Sequence, residues 1–563
     1  MTVRVATTQY RTGNDVEANL QTLLGLIGEA AAGGAQLVVA PEFGNHTSFY
    51  EDAAHAWSIA VAVDGDYVQA VCDRAAECKI HVVFNATCRG AAEGEIFIRN
   101  FLVGPDGALL GWNDKQTLMG GESIHLSGAD TEGRVFDTAI GRIGMMSCLD
   151  GVPPECARNL ALRGAQIITN GHNSCALDEP YTHIPVSAAE NHVWVIAAGK
   201  VGPVCVDEML QPLADQVGIP PHLISSLGEN PILDPMGEAV ARFDCQQGGV
   251  LFADIDVEQA DDKRWEDGDL FADRRPELYG PVAELPLEFP LDCAEPFKGA
   301  IIQLRSDRPF LVNLQRATDL VADAAHNGVA LLVLPELFPF SADAIAADPE
   351  LALEQSAEAE KLLQHCCQEN GISVGCSLLS DDGGIRHTGV LLGEDGSCWG
   401  RYHQTHLPHS YREWAVAGDE LPVWDTPRGR IAMMLGYDMV FPELATVLAR
   451  KGAEILLHPT SWRLPWEPSL VICERASENR VSILSAARWD SSVQRGGMIN
   501  ALSQSEPLRA SDLNPIWPAE APRDRELYIT ADIHPQRARN KDLIGFDLQW
   551  GRRPELYGEL VKS

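Results

Sequence analysis

The sequence predicts an α/β protein of layered strands and helices, built twice over in one chain of 563 residues. Three observations carry the prediction. Short apolar strands alternate with helical stretches. The same series of segments recurs in the second half. The strands that read as buried carry polar residues at their C-terminal ends, where α/β sheets place ligands.

Each element follows from its residues. "RVATTQY" (4–10) alternates as a strand should. "NLQTLLGLIGEAAAGGA" (19–35) sets apolar residues at helical spacing and stops at glycine. "AQLVVAPEF" (35–43) is a short buried strand. "ARNLALRGA" (157–165) is a helix with Pro153 and Pro154 near its start and Gly164 at its end. The duplication is read by laying "VFDTAIGRIGMMSCLDGVPPECA" (135–157) over "VWDTPRGRIAMMLGYDMVFPELA" (423–445). The offset, 436 − 148 = 288, holds without a gap and pairs Asp150 with Asp438 and Glu155 with Glu443. Each half closes on "RRPELYG", at 274–280 and 552–558. A proline-rich stretch marks the boundary, giving domains 1–285 and 297–563 joined by an ordered linker, 286–296.

Composition narrows the function. A chain with 45% hydrophobic and 22% charged residues has an ordinary globular balance, so it is expected to fold. A formal net charge of -37 disfavours phosphate backbones and anionic membranes, so neither nucleic acid nor a membrane is expected as a partner. "MTVRVATTQY" has no apolar signal segment, and the 14 cysteines are scattered without CxxC pairs. Both point to a cytoplasmic protein with reduced thiols.

Three residues of the first half stand at strand ends: Glu42 after "AQLVVAP", Lys115 after "FLVGPDGALLGWND" and Cys148 after "GRIGMMS". Singly, each has a structural reading as a capping carboxylate, a surface lysine or a packed thiol. Together they resemble the nitrilase superfamily of carbon–nitrogen hydrolases. "GESIHLSGAD" with Glu122, "AAENHVWVIAAG" and "ENPILDPMGEAVAR" add to the likeness. The resemblance implies two tandem four-layer αββα sandwich domains and a Glu42–Lys115–Cys148 site, with Glu122 as a second carboxylate. It also implies a role for each group. A thiol is mostly protonated at neutral pH. Glu42 would take its proton, and sulfur would attack the carbon of a C–N bond. Lys115 and the backbone N–H of Leu149 would stabilise the charge that gathers on the substrate. A thioester would form and then hydrolyse, with no metal or organic cofactor.

The second half keeps Glu336 but replaces Cys148 by Gly436. Lys115 falls on Gln404, or on His403 if the 288 offset is forced. Glu413 is expected in the place of Glu122. Without nucleophile or ammonium, the second copy is predicted to be catalytically degenerate. It would instead pair with the first copy as an intramolecular pseudo-dimer, open to further homo-oligomerisation. "HQTHLPH" spaces His403, His406 and His409 by three, but Pro408 breaks any helix that would gather them on a metal. His172 and His183 read as structural, while Asn173 between them is a candidate substrate contact.

The nucleophile is followed by "LDG", unlike the Trp-Glu of true nitrilases. "NGHNS" and "WVIAAGKVG" resemble N-carbamoyl-D-amino-acid amidohydrolases, but Gly151 and Val152 stand where those enzymes carry carboxylate-binding arginines. The expected substrate is therefore a small linear amide or carbamoyl compound, giving up ammonia or an amine. A small nitrile, or transfer of the thioester to an amine acceptor, is the alternative.

Overall fold

The computed structural model describes residues 1–562 apart from 175, 177, 218–219, 245, 290–293, 494, 503–517 and 544. Part of the expected linker thus lies outside the described residues. The chain forms two compact units, each a four-layer αββα sandwich. Among the described residues, no helix is long and apolar enough to cross a membrane.

In the first unit one six-stranded sheet runs Gly249–Asp256, Thr2–Gln9, Leu37–Val39, His81–Arg89, Ile96–Val103, Leu109–Asp114. The second runs Ala239–Arg242, Pro231–Leu233, Trp194–Gly199, Ile167–His172, Gly141–Ser147, Val135–Thr138. Val5, Val39, Val83 and Leu102 of the first sheet meet Ile143, Met145, Ile167 and Ile196 of the second in an apolar cluster. Helices Val16–Ala32 and Asp66–Cys78 bury Leu20, Leu23, Ile27, Val68 and Val71 against the outer face of the first sheet. Helix Pro154–Leu162 covers the second sheet so closely that a Cβ at Gly144 would sit 3.2 Å from Leu160. The second unit repeats this order, from Leu527–Ile533 to Cys398–His403 in one sheet and from Ala519–Glu520 to Trp424–Thr426 in the other.

The units do not follow the halves read from the sequence. The first comprises Met1–Lys263 and Asp542–Leu560; residues 264–285, assigned above to the first domain, belong to the second unit. The reason lies in the repeated "RRPELYG". In the first unit Arg552 pairs with the buried Glu155, Tyr557 is fully buried, and Asn159 donates to the carbonyl of Leu556 at 3.2 Å. In the second unit Arg274 pairs with Glu443 at 2.9 Å, and the Tyr279 hydroxyl meets His406 Nε2 at 2.7 Å. Each copy of the motif is held by the helix that follows the nucleophile position, but of the other half of the sequence.

Candidate active site

Glu42, Lys115, Glu122 and Cys148 come together in the first unit, and local backbone geometry puts each there. Glu42 lies in the turn after strand Leu37–Val39, followed by Phe43 at φ 52°. The Phe43 N–H donates to Asn85 Oδ1 at 2.8 Å, and Asn85 donates in turn to Asn100 and Ser147, both at 3.0 Å. Lys115 leaves strand Leu109–Asp114 with its N–H on the Ile98 carbonyl at 2.8 Å. Its ammonium donates to Glu42 Oε1 at 2.8 Å and to both oxygens of Glu122, at 3.0 and 2.9 Å. Glu122 opens a 3₁₀ turn and also accepts from the Met119 N–H at 2.9 Å.

Cys148 sits at φ 45°, between strand Gly141–Ser147 and the 3₁₀ turn Cys148–Gly151. A left-handed backbone at a non-glycine residue costs of order 1–3 kcal/mol and persists where surrounding bonds demand it. Here the Cys148 N–H is held by Asn170 Oδ1 at 2.8 Å. Asp150 accepts from Ser147 N–H with one oxygen, and from the N–H groups of Gln116 and Thr117 and the Thr117 hydroxyl with the other. Asp150 thus ties the nucleophile turn to the lysine segment. The N–H of Leu149 opens the turn, where no residue of the turn itself can accept from it.

The electrostatics follow from burial. Glu42 is pushed up to about 8 by burial, offset in part by Lys115 and reinforced by the like charge of Glu122. The Cys148 thiol is raised well above its ordinary value, first by burial and then by Glu179 and Glu42. Lys115 stays protonated: burial opposes its charge, but Glu122 and Glu42 raise it well above the usual ammonium value. A thiol held well above its ordinary value therefore lies in a site with a carboxylate raised to about 8.

Two residues of this region were not picked out from the sequence. Glu179, on the π-helical turn Glu179–His183, accepts from the Cys148 thiol at 3.8 Å. Its signal was the Glu-Pro pair at 179–180 that recurs at 467–468, at the same 288 offset. Lys200 is buried, donates to the His46 carbonyl at 3.3 Å and lies over the Phe43 ring; burial lowers it to about 7. Asn173, expected as a substrate contact, has its amide bonded to Ser48, Val204 and Ser226.

The second unit keeps the frame and changes the contents. Gly436 holds φ 43°, the counterpart of Cys148, and Leu337 holds φ 46°, the counterpart of Phe43. Gln404 N–H bonds the His387 carbonyl at 2.9 Å as Lys115 N–H bonds Ile98, so Gln404 rather than His403 is the lysine's counterpart. Its side chain joins the Leu435 carbonyl and His387. Asp438 bonds the N–H groups of Leu435 and His406, as Asp150 bonds those of Ser147 and Thr117. Glu413, expected in place of Glu122, is exposed. The partners of Glu336 are Tyr411, at 3.0 Å, and Arg463, which donates to both carboxylate oxygens at 3.1 and 3.0 Å. The displacement has a simple cause: a guanidinium satisfies both oxygens of one carboxylate in its plane, leaving no ammonium for a second carboxylate to orient. Burial pulls Glu336 up, yet Arg463 and its neighbours hold it below the usual carboxylate value, opposite to Glu42. His403, His406 and His409 are each taken by a carboxylate, Asp382, Asp438 and Asp273.

A family model described as carbon-nitrogen hydrolase matches residues 4–264 and again 298–505. A nitrilase of Pyrococcus abyssi is 31% identical over 261 residues, 45% of this chain and 90% of that protein. The omega-amidase NIT2 of Homo sapiens is 30% identical over 207 residues, 34% of this chain and 74% of that protein. The citrullinase of Francisella tularensis is 28% identical over 295 residues, 47% of this chain and 98% of that protein. Among solved structures, an amidase from Nesterenkonia sp. AN1 overlays 46% of this chain and 96% of its own, at 20% identity and a TM-score of 0.38.

Proposed function

The chain belongs to the carbon–nitrogen hydrolase family, and from that premise we propose that its first unit is a thiol-dependent amidohydrolase acting on a small linear amide or carbamoyl compound. The observation that supports this most directly is the enclosure of Cys148 with Glu42, Lys115 and Glu122, in which Glu42 ionises at about 8. In this reading Glu42 takes the thiol proton as sulfur bonds to the substrate carbon. The negative charge that gathers on the carbonyl oxygen is met by the Lys115 ammonium and the Leu149 N–H. The C–N bond breaks, and Glu42 returns its proton to the departing nitrogen. Ammonia or an amine leaves behind a thioester. Water, giving its proton to Glu42, then cleaves the thioester and regenerates the thiol. Glu122 keeps the ammonium aimed between the two carboxylates. The names of two relatives, omega-amidase and citrullinase, favour amide and carbamoyl substrates.

A small nitrile is a second reading, favoured by the Pyrococcus relative's name. The second unit, with glycine for the nucleophile and an arginine on its glutamate, is read as non-catalytic. The test is ammonia release from matched amide, carbamoyl and nitrile compounds, with intact-mass detection of an adduct on Cys148. Cys148→Ala is expected to lower kcat by roughly 10⁴-fold or more. Full turnover in that variant would sink the proposal.

A further inference from the structure

Glu179 has no part in the mechanism just described, yet it touches the sulfur. It is 6% exposed, and its Oε2 lies 3.8 Å from Cys148 Sγ. A substituent on a carbon bonded to that sulfur falls within hydrogen-bond reach of such an oxygen. The ammonium of Lys115 is committed to Glu42 and Glu122. Among the described residues no lysine or arginine forms an ion pair with Glu179. Three carboxylates therefore surround the thiol against one bonded ammonium. A buried carboxylate with no cation beside it is costly, and a substrate N–H placed against it recovers part of that cost.

The second unit holds a group of the matching kind in the matching place. A Cβ built on Gly436 would lie 2.7 Å from Nη1 of Arg463, so a guanidinium fills the space of the missing nucleophile side chain. It donates two bonds to Glu336, the counterpart of Glu42, and its charge is further favoured by Glu467, the counterpart of Glu179. A guanidinium is a planar carbon bearing nitrogens, the shape of a ureido group. The copy that lost its nucleophile thus carries, as its own side chain, a group of the kind that the intact copy is arranged to receive.

We infer that Glu179 is the specificity-determining residue of the first site, accepting an N–H from a substrate whose reacting planar carbon bears two nitrogens, a ureido compound in preference to an alkyl amide or a nitrile. The inference rests on the proposed function and adds no covalent step to it.

The experiment compares kcat/KM for three compounds with one shared tail and a ureido, primary amide or nitrile end, in the full-length protein and in Glu179→Gln. The wild type is expected to favour the ureido compound. Glu179→Gln is expected to lower the ureido-to-amide ratio by about 10- to 150-fold, the range for a hydrogen bond to a charged group. An equal loss on both compounds would overturn the inference, since Glu179 would then serve the thiol alone. An unchanged ratio, or a wild-type preference for the amide or nitrile, would overturn it too. A second measurement needs no turnover: methylguanidine is expected to slow alkylation of Cys148 by iodoacetamide in the wild type and not in Glu179→Gln. Equal protection in both proteins counts against the inference. A wild type that forms no adduct at Cys148 with any of the three compounds refutes the proposed function itself; turnover with the wrong preference refutes only the inference.

Discussion

Replacing Arg552 by leucine tests whether the C-terminal segment is an integral part of the first unit. Arg552 and Glu155 are 2% and 1% exposed, and among the described residues Glu155 Oε2 has no hydrogen-bond partner of its own. The ion pair is therefore what balances the buried carboxylate, at the first turn of helix Pro154–Leu162. Removing one partner of a buried pair costs about 3–5 kcal/mol, because the other charge stays behind uncompensated. At about 1.4 kcal/mol per tenfold change, exchange protection of that helix should fall by roughly two to four orders of magnitude. The assay is residue-resolved amide hydrogen exchange on the full-length protein. Glu155→Leu combined with Arg552→Leu should recover most of the loss, since two apolar side chains leave no stranded charge. Arg274→Leu should produce the corresponding change in helix Pro442–Arg450, where Glu443 is the partner. A loss below about 1 kcal/mol in Arg552→Leu, the level of an exposed pair, would refute the reasoning. So would a double variant no better than the single one. Phe546 and Leu548 of the same segment pack on Leu149 and Val152, so the change is expected to reach the nucleophile turn as well.

Three further outcomes follow from the geometry. Gly436→Cys in a Cys148→Ala background should restore no turnover and should destabilise the second unit by about 1–3 kcal/mol, because the new side chain meets Arg463 and Glu336 at under 3 Å; a covalent adduct at position 436 in an intact-mass screen would contradict this. The kcat/KM profile should climb through a pH of about 8 as Glu42 ionises, and Glu122→Gln should move that limb to lower pH by removing a like charge, so a limb that stays put or moves up counts against Glu42 as the base. Because burial raises Glu42 from 4.5 to about 8, the folded state binds its proton more tightly than the unfolded chain. That stabilisation is present below 4.5 and is lost as pH rises through about 8; denaturant titrations should show Glu42→Gln flattening the decline.

Much of the frame was legible in residue order. The helix ending near Gly164, the strand that delivers Cys148 and the 288 offset all depend on periodicity, turn residues and repeat, which are local or linear properties. The loss of the second nucleophile is equally linear, since glycine carries no thiol. Glu413 shows where such reading stops. It occupied a fitting place in the alignment, but the contact with Glu336 is made by Tyr411 two residues earlier and by Arg463 from another loop. Side-chain direction within a short 3₁₀ turn is decided by packing, which alignment does not carry. The partners of Asn173 are likewise set by the fold: its loop amide bonds the backbone and hydroxyl groups that come near, here Ser48, Val204 and Ser226.

By itself the sequence determined that there are two copies of one α/β sandwich, that one keeps a thiol at a strand end and that the other does not. The tertiary structure decided three other things. It brought Glu179 to the sulfur, exchanged the closing "RRPELYG" segments between the two units, and gave equivalent carboxylates opposite tuning, Glu42 up to about 8 and Glu336 below its ordinary value. The physical reason is common to all three. Residues far apart in the chain set a group's burial and its nearest charges, and these quantities exist only once the chain has closed around it.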